Sequence, residues 1–239
     1  MKNFPEVYFL RHGQTEWNFE DRFQGQKDSP LTALGRRQAE DQGQLLRTVI
    51  ANWRVVDVWV SPLGRTRQTA EIALRDVPAE PKIVAELAEI SVGSWEGLRR
   101  AEIEKLEPRF ANPKQSERFE VYFNSPGGES YAVFSSRIRL VLEALQWPTV
   151  IVAHGIVGRV LRGLWLGLER GQLAGLQGGQ HVLPQCLFLY FIGEILGYLE
   201  VDVGVQKSPS YFLQGFCNID FGYLPMPFED VERLVQFFA

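Results

Sequence analysis

Three short apolar runs in this chain are each followed by residues whose side chains can bind an anion or attack it. The run 7–10 is followed by Arg11-His12-Gly13, the run 55–60 leads to Arg65, and the run 149–153 is followed by His154-Gly155. Two of the three histidines therefore lie just after a predicted strand and precede a glycine. Ligands of open α/β sheets bind at the carboxyl ends of strands. The pattern therefore predicts a cationic site at one edge of a sheet.

Phosphate is the anion that fits this combination of groups best. A guanidinium presents a planar fork that matches two phosphate oxygens at once, and helices that begin beside the strand ends add backbone N–H donors. Glycine after each histidine lets the backbone approach a ligand closely. A neutral imidazole can attack phosphorus, and positive neighbours keep it neutral by lowering its pKa. The residues thus predict phosphoryl transfer through a histidine.

An alternating order of strands and helices is predicted to position these groups. Strands are predicted over 6–10, 55–60 and 149–153, with a short strand near 83–84. Helices are predicted to follow Thr32 and Ser130 as N-caps and to cover 64–74 and 155–166. The helix after Ser130 has an apolar face at helical spacing, formed by Phe134, Ile138, Val141, Leu142 and Leu145. This order predicts an α/β fold, a three-layer sandwich with a mostly parallel central sheet and helices on both faces.

The remaining segments are expected to decorate a single domain over residues 1–239. The polar segment 99–128 contains three prolines and is predicted to be a small cap insertion over one end of the sheet. Residues 186–192 and 195–201 alternate and predict a hairpin or two edge strands. The aromatic segment 202–239 is predicted to be a packed C-terminal tail. Whether it packs on its own domain or on a second subunit is left open, so a homodimer is one of the arrangements considered.

Composition excludes several classes of partner. The 239 residues are 45% hydrophobic and 23% charged, with a net charge of −4. There is no excess of positive charge of the kind that nucleic acid or an anionic membrane would attract. Cys186 and Cys217 lack the spacing of a disulfide framework or a metal site, and the N-terminus lacks the apolar segment of a signal peptide. We expect a cytoplasmic protein that binds neither nucleic acid nor membrane.

An ordered set of motifs resembles the histidine phosphatase superfamily, in its phosphoglycerate-mutase-like branch. The set is specific because it runs in family order from residue 7 to about residue 160, whereas an isolated Arg-His-Gly would be a weak signal. The matching segments are Arg11-His12-Gly13-Gln14-Thr15 with Asn18, Arg22-Phe23-Gln24-Gly25, Leu31-Thr32 with Gly35 and Gln38-Ala39, Ser61-Pro62-Leu63 through Arg65 and Gln68-Thr69-Ala70, Leu87-Ala88-Glu89 with Gly93 and Trp95-Glu96-Gly97, Pro126-Gly127-Gly128-Glu129-Ser130, and His154-Gly155.

The resemblance implies a role for each matching position. His12 would be the phosphorylated nucleophile, and Glu89 would protonate the leaving oxygen and then activate water. The phosphoryl oxygens would be held by Arg11, Asn18, Arg65, His154 and the backbone of Gly155. Gln24 and Gly25 would lie beside the substrate. No metal and no other cofactor is implied. Only the resemblance selects Glu89, because Glu86, Glu96 and Glu102 are nearby carboxylates.

The residues after Glu89 favour a phosphatase over a mutase. Mutases of the family carry an arginine directly after the acid and a tyrosine two residues further on, and Ile90 and Val92 stand there in this chain. Lys105 and Arg109 cannot be aligned to the cationic residues of the mutase insertion. We therefore expect hydrolysis of a small phosphomonoester metabolite. The alternatives kept open are a cofactor-dependent phosphoglycerate mutase and a catalytically silent phosphate-binding module; the substrate and the role of His181 stay undetermined.

Overall fold

The central sheet is parallel throughout its described part. A computed structural model describes residues 4–111, 117–174, 176 and 186–188. Within these residues the sheet has five strands, β1 Val7–Arg11, β2 Asp57–Val60, β3 Lys82–Ile83, β4 Thr149–Ala153 and β5 Cys186–Phe188. They lie in the order β3-β2-β4-β1-β5, and every pair is parallel. This confirms the predicted parallel sheet.

Helices cover both faces of the sheet. Their bounds are α1 Glu16–Phe19, α2 Ala33–Val49, α3 Gly64–Ala73, α4 Arg100–Leu106, α5 Glu117–Glu120, α6 Tyr131–Ala144, α7 Gly155–Trp165 and α8 Arg170–Leu173. The strands β1, β2 and β4 present alternate residues to opposite sides, so Phe9 and Ile151 pack in one core with α6 and α7, whereas Leu10 and Val152 pack in a second core with α2 and α3. The three layers predicted from the sequence are therefore confirmed.

Two helix starts predicted from hydroxyl residues are confirmed. The Thr32 hydroxyl accepts the Gly35 N–H at the start of α2, and the Ser130 hydroxyl accepts the Val133 N–H at the start of α6. Each bond satisfies one of the backbone donors that a helix N-terminus leaves free. All five residues of the predicted apolar face of α6 are buried. Local chemistry therefore sets these boundaries, as expected.

The segment 99–128, where it is described, contains α4, α5 and two short 3-10 turns, Pro108–Phe110 and Val121–Asn124. Its apolar residues Ile103, Phe110, Phe119 and Val121 are buried in the same core as α6 and α7. The guanidinium of Arg100 lies 5.4 Å from the ring centre of Phe23 and 5.1 Å from that of Phe110. These contacts attach the segment to the loop that follows α1.

The C-terminal predictions are tested only at β5, which is the last strand of the described part of the sheet and pairs in parallel with β1. The second arm of the predicted hairpin, His181 and the tail 202–239 lie outside the described residues. Within the described part of the chain, no helix combines the length and the apolar character that crossing a bilayer requires.

Candidate active site

The three polar strand ends meet at one edge of the sheet. β4 lies between β1 and β2, so the residues that follow these strands are neighbours. The His12 N–H donates to the Ala153 carbonyl at 3.1 Å, and the Ser61 N–H donates to the Val152 carbonyl at 3.0 Å. The centres of the His12 and His154 rings are 5.3 Å apart. The structure thus brings together the groups that the sequence placed after separate strands.

His12 is held as a neutral imidazole with one ring nitrogen directed to the backbone. Its Nδ1 lies 2.8 Å from the Gly13 carbonyl oxygen. Because a carbonyl only accepts, Nδ1 must carry the proton and Nε2 the lone pair. Burial first, and then the positive charges of Arg65 and Arg11, hold the pKa of His12 well below its ordinary value. At neutral pH the ring therefore offers an unprotonated Nε2 that can act as a nucleophile.

The backbone around His12 is fixed by a close approach of helix α2. A Cβ atom on Gly13 would lie 2.1 Å from the Gly35 carbonyl oxygen, and one on Gly35 would lie 2.0 Å from the Gln14 carbonyl oxygen. The Gly13 N–H donates to the Thr69 hydroxyl at 3.1 Å. Glycine is thus required on both sides of the contact, and the loop is tied to α2 and α3 at once.

His154 is buried and is oriented by a hydroxyl from the neighbouring strand end. Its Nε2 lies 2.7 Å from Ser61 Oγ, which also accepts the Leu63 N–H at 3.4 Å. The tautomer in which the Ser61 hydroxyl donates to Nε2 places the ring proton on Nδ1. That Nδ1 has no hydrogen-bond partner among the described residues. Burial, then the charge of Arg65, holds the pKa of His154 well below its ordinary value.

Arg65 lies in the first turn of α3 and is only 1% exposed. Its Nη2 donates to the Gly25 carbonyl at 2.8 Å, and its Nη1 donates to the Lys27 carbonyl at 2.7 Å and to Asp28 Oδ1 at 3.0 Å. Asp28 also accepts the backbone N–H groups of Gly64 and Arg65. Burial lowers the pKa of Arg65, but guanidinium stays charged in proteins. Arg65 Nε is buried with no partner among the described residues.

Arg11 ends β1 and adds a second guanidinium to the site. Its positive charge lowers the pKa of both His12 and His154, and its backbone carbonyl accepts the Gln42 side-chain N–H at 3.0 Å. Arg11 and Arg65 thus surround two neutral imidazoles with positive charge. Buried donors such as Arg65 Nε and His154 Nδ1 normally have a partner. A bound anion would supply that partner.

Glu89 reaches the same place from the loop after β3. Its Oε1 accepts the Ile90 N–H at 3.0 Å, and its Oε2 accepts the Ile156 N–H in the first turn of α7 at 3.2 Å. Burial raises the pKa of Glu89, although these two N–H groups, Arg65 and Arg11 lower it. A carboxyl group with a raised pKa can donate a proton and take it back.

The other nearby carboxylates have different partners. Glu96 Oε1 accepts from the backbone of Gln26 and Val92, and Glu102 Oε2 accepts the Arg99 N–H at the start of α4. Glu86 is exposed. The pKa of Glu89 is raised above its ordinary value by burial, and Arg65 and Arg11 are among the charges that act on it.

The other residues to which the resemblance assigned a role are Asn18, Gln24, Gly25 and Gly155. Asn18 is exposed, and its Oδ1 accepts the backbone N–H of Thr15 at 3.1 Å in a capping box of α1. Gln24 is buried, and its Oε1 accepts the Ser29 hydroxyl at 3.4 Å. Gly25 has φ +54°, and its carbonyl binds Arg65. Gly155 is the first residue of α7, where N–H groups are free of intrahelical bonds.

Sequence reasoning missed three residues that hold the site. Asp28 fixes Arg65, Thr69 fixes Gly13, and Arg137 of α6 donates to the Glu89 carbonyl at 3.2 Å. Thr69 belongs to a motif that had been noted, without a role. Asp28 and Arg137 form hydrogen bonds with residues that are far from them in the sequence, so no local pattern predicts these contacts.

Taken together, the cluster contains the groups that phosphoryl transfer requires. It combines a neutral imidazole, two guanidinium groups, a carboxyl group with a raised pKa, and a second imidazole with a buried nitrogen that has no hydrogen-bond partner among the described residues. Fixed positive groups of this kind stabilise the negative charge of a transferring phosphoryl group. Within the described residues there is no group of three or more His, Cys, Asp or Glu side chains that could hold a metal ion.

Comparison with known proteins agrees with this class. Residues 7–183 match the model of the histidine phosphatase superfamily (branch 1), and the chain belongs to that superfamily. It is 37% identical over 169 residues to "Probable phosphoglycerate mutase GpmB" of Citrobacter koseri, which covers 68% of this chain and 75% of that protein. A mycobacterial glucosyl-3-phosphoglycerate phosphatase in complex with VO3 superposes with a TM-score of 0.62 at 30% identity, over 72% of this chain and 87% of that one.

Proposed function

We propose that the protein is a phosphatase that hydrolyses a small phosphomonoester metabolite through a phosphohistidine at His12. The observation that carries the proposal is the orientation of His12. Its Nδ1 is held by the Gly13 carbonyl, which leaves the lone pair on Nε2, and burial, then Arg65 and Arg11, lower its pKa and keep the ring neutral. A neutral, oriented imidazole beside two guanidinium groups is suited to attack a phosphate ester.

The reaction would proceed in two displacements at phosphorus. In the first, the Nε2 lone pair of His12 forms the P–N bond while the ester P–O bond breaks, and the Glu89 carboxyl group gives its proton to the leaving oxygen. In the second, the Glu89 carboxylate takes a proton from water as that water attacks phosphorus, and the P–N electron pair returns to His12. The sum is ester and water giving alcohol and phosphate. Arg65, Arg11 and His154 Nδ1 would hold the phosphoryl oxygens throughout.

The surroundings of Glu89 support hydrolysis over transfer between two positions of phosphoglycerate. Ile90 and Val92 stand where family mutases carry arginine and tyrosine, and they are 1% and 2% exposed within the main core. Neither side chain offers a group that would grip a carboxylate substrate. Arg109, in the segment 99–128, is 73% exposed and is paired with Glu107. The chain therefore lacks, at positions 90 and 92, the groups on which the mutases depend.

The nucleophile is tested with His12→Asn and a panel of small phosphomonoesters. We expect wild-type protein to release phosphate and, on rapid quenching, to carry an acid-labile, base-stable phosphoryl group. His12→Asn should lose the phosphoryl group and at least about 10³-fold in turnover, as when a covalent nucleophile is removed. Full turnover by a folded His12→Asn protein would contradict the mechanism.

A mutase is the second candidate, because curated relatives at 35–37% identity carry the name "Probable phosphoglycerate mutase GpmB". Incubation with 3-phosphoglycerate separates the two functions. Isomer exchange without free phosphate would favour the mutase, and phosphate release would favour the phosphatase. A folded protein that binds phosphate but turns over no ester in the panel would instead be a silent phosphate-binding module.

A further inference from the structure

Arg137 on α6 forms a half-buried ion pair with Glu129 and also binds the backbone of the candidate acid, Glu89. Its Nε donates to Glu129 Oε1 and its Nη2 to Glu129 Oε2, both at 2.8 Å, so the pair is bidentate. The two side chains are 17% and 12% exposed. Bidentate pairing fixes the plane of a guanidinium as well as its position. The Arg137 guanidinium is therefore held rigidly before any other contact is counted.

The rest of the same guanidinium binds the backbone that leads to Glu89. Nη1 donates to the carbonyl of Glu86 at 2.5 Å and to that of Ala88 at 2.6 Å, and Nη2 donates to the carbonyl of Glu89 at 3.2 Å. Three carbonyls from four consecutive residues thus converge on one cation. This stretch follows the short β3, and only a 3-10 turn, Ala85–Leu87, gives it regular structure. The bonds to Arg137 therefore restrain this stretch, together with Gln26, whose Nε2 donates to the same Glu89 carbonyl at 3.2 Å.

The acid is consequently held from two sides. Its carboxylate accepts N–H groups of Ile90 and Ile156, and its main chain is bound by Arg137. Helix α6 has an apolar face of its own, including Phe134 and Ile138, which is fully buried. The helix thus packs on the sheet through residues other than Arg137. The hydrogen bonds of Arg137 are instead made to Glu129 and to the backbone that leads to Glu89.

We propose that Arg137, oriented by Glu129, is a positioning residue that places the Glu89 carboxyl group for proton transfer. This inference rests on the proposed phosphatase function. Loss of Arg137 should impair protonation of the leaving oxygen and spare attack by His12. The defect should therefore grow with the basicity of the leaving group. A residue that only supports the fold would slow all substrates alike.

The test uses Arg137→Gln, Arg137→Lys and Glu129→Gln, with Arg139→Gln as the matched control on the exposed side of α6. Single-turnover formation of the phosphoenzyme is followed by rapid quench with phenyl phosphate and with 2,4-dinitrophenyl phosphate. The second ester has a leaving group that departs without a proton. General acid catalysis contributes about 10²–10⁴-fold. We expect at least about a 10-fold loss with phenyl phosphate and less than about a 3-fold loss with the dinitrophenyl ester.

A double variant decides whether Arg137 acts through Glu89. Glu89→Gln should show the same selectivity for leaving groups, and Glu89→Gln/Arg137→Gln should be no slower than Glu89→Gln alone, because residues that act as a unit are not additive. Arg137→Lys and Glu129→Gln should give intermediate losses and decide the matter if Arg137→Gln does not fold. Equal losses with both esters, or additive losses in the double variant, would overturn the inference. Absence of phosphoenzyme in wild-type protein would instead refute the proposed function.

Discussion

Replacing Gly13 by alanine should displace His12, the proposed nucleophile, without changing any of the side chains proposed to bind the substrate. The added Cβ would lie 2.1 Å from the Gly35 carbonyl oxygen, a backbone atom, whereas real Cβ atoms essentially never come within 3.0 Å of such a neighbour. The loop and the start of α2 must therefore separate by about 0.9 Å or more. Neither side can yield by rotating a side chain.

Two measurable losses follow from this displacement. Forcing a methyl group into a close-packed contact costs about 1–3 kcal/mol of unfolding free energy. A misplacement of about 1 Å at a reacting group can cost about 10²-fold in rate. We therefore expect Gly13→Ala to lower the urea midpoint at an unchanged slope, and to lower kcat by about 10²-fold. Urea unfolding and phosphate release on one preparation measure both.

Gly171→Ala is the matched control, because a Cβ added at Gly171 in α8 meets no atom within 4 Å. Alanine replaces glycine there in a helix, which should leave the unfolding free energy equal or raise it by up to about 1 kcal/mol. Its turnover should equal that of the wild type. A Gly13→Ala protein with wild-type stability and wild-type kcat would refute the argument that the Gly13–Gly35 contact sets the position of His12.

Two further predictions concern the buried imidazoles. Ser61→Ala should remove the hydroxyl that orients His154 and weaken inhibition by inorganic phosphate or vanadate by about 10-fold, the loss of roughly one hydrogen bond to a charged group; an unchanged inhibition constant would show that Ser61 does not act on the phosphate site. Stability should fall as the pH is lowered below about 6.5, by up to about 1.4 kcal/mol per pH unit for each histidine. The sign follows because His12 and His154 have depressed pKa values in the folded protein, so the unfolded chain binds more protons in this range. Urea unfolding between pH 7.5 and 5.5 measures the slope, which should be smaller in His154→Gln; equal slopes would contradict the assignment.

The parts of the site that follow strands could be predicted from the sequence because strand and functional group are adjacent in the chain. An apolar run followed by Arg11-His12 indicates both the strand and the functional residues that stand at its carboxyl end. His154 is predicted in the same way. The N-caps Thr32 and Ser130 are also local signals, since the hydroxyl and the N–H that it accepts are three residues apart.

The supporting residues could not be predicted in this way. Arg137 binds backbone carbonyls of residues 86, 88 and 89. Because every residue has a backbone carbonyl, neither composition nor the spacing of side chains predicts this contact. Asp28 is similar, because its partners lie at Gly64 and Arg65. Glu89 was selected by resemblance alone. Glu89 and Glu96 differ in the backbone N–H groups from which their carboxylates accept hydrogen bonds.

Because β4 lies between β1 and β2, the candidate site forms only when strands that are far apart in the chain have paired. Val7 pairs with Thr149, and Asp57 pairs with the same residue on the other edge of β4. Contacts between segments so distant in the chain form late, because loop closure precedes any gain from them. An N-terminal fragment that stops before β4 would contain His12, Arg65 and Glu89 yet would have no central strand to align them. During refolding, recovery of catalysis should therefore lag behind recovery of helix.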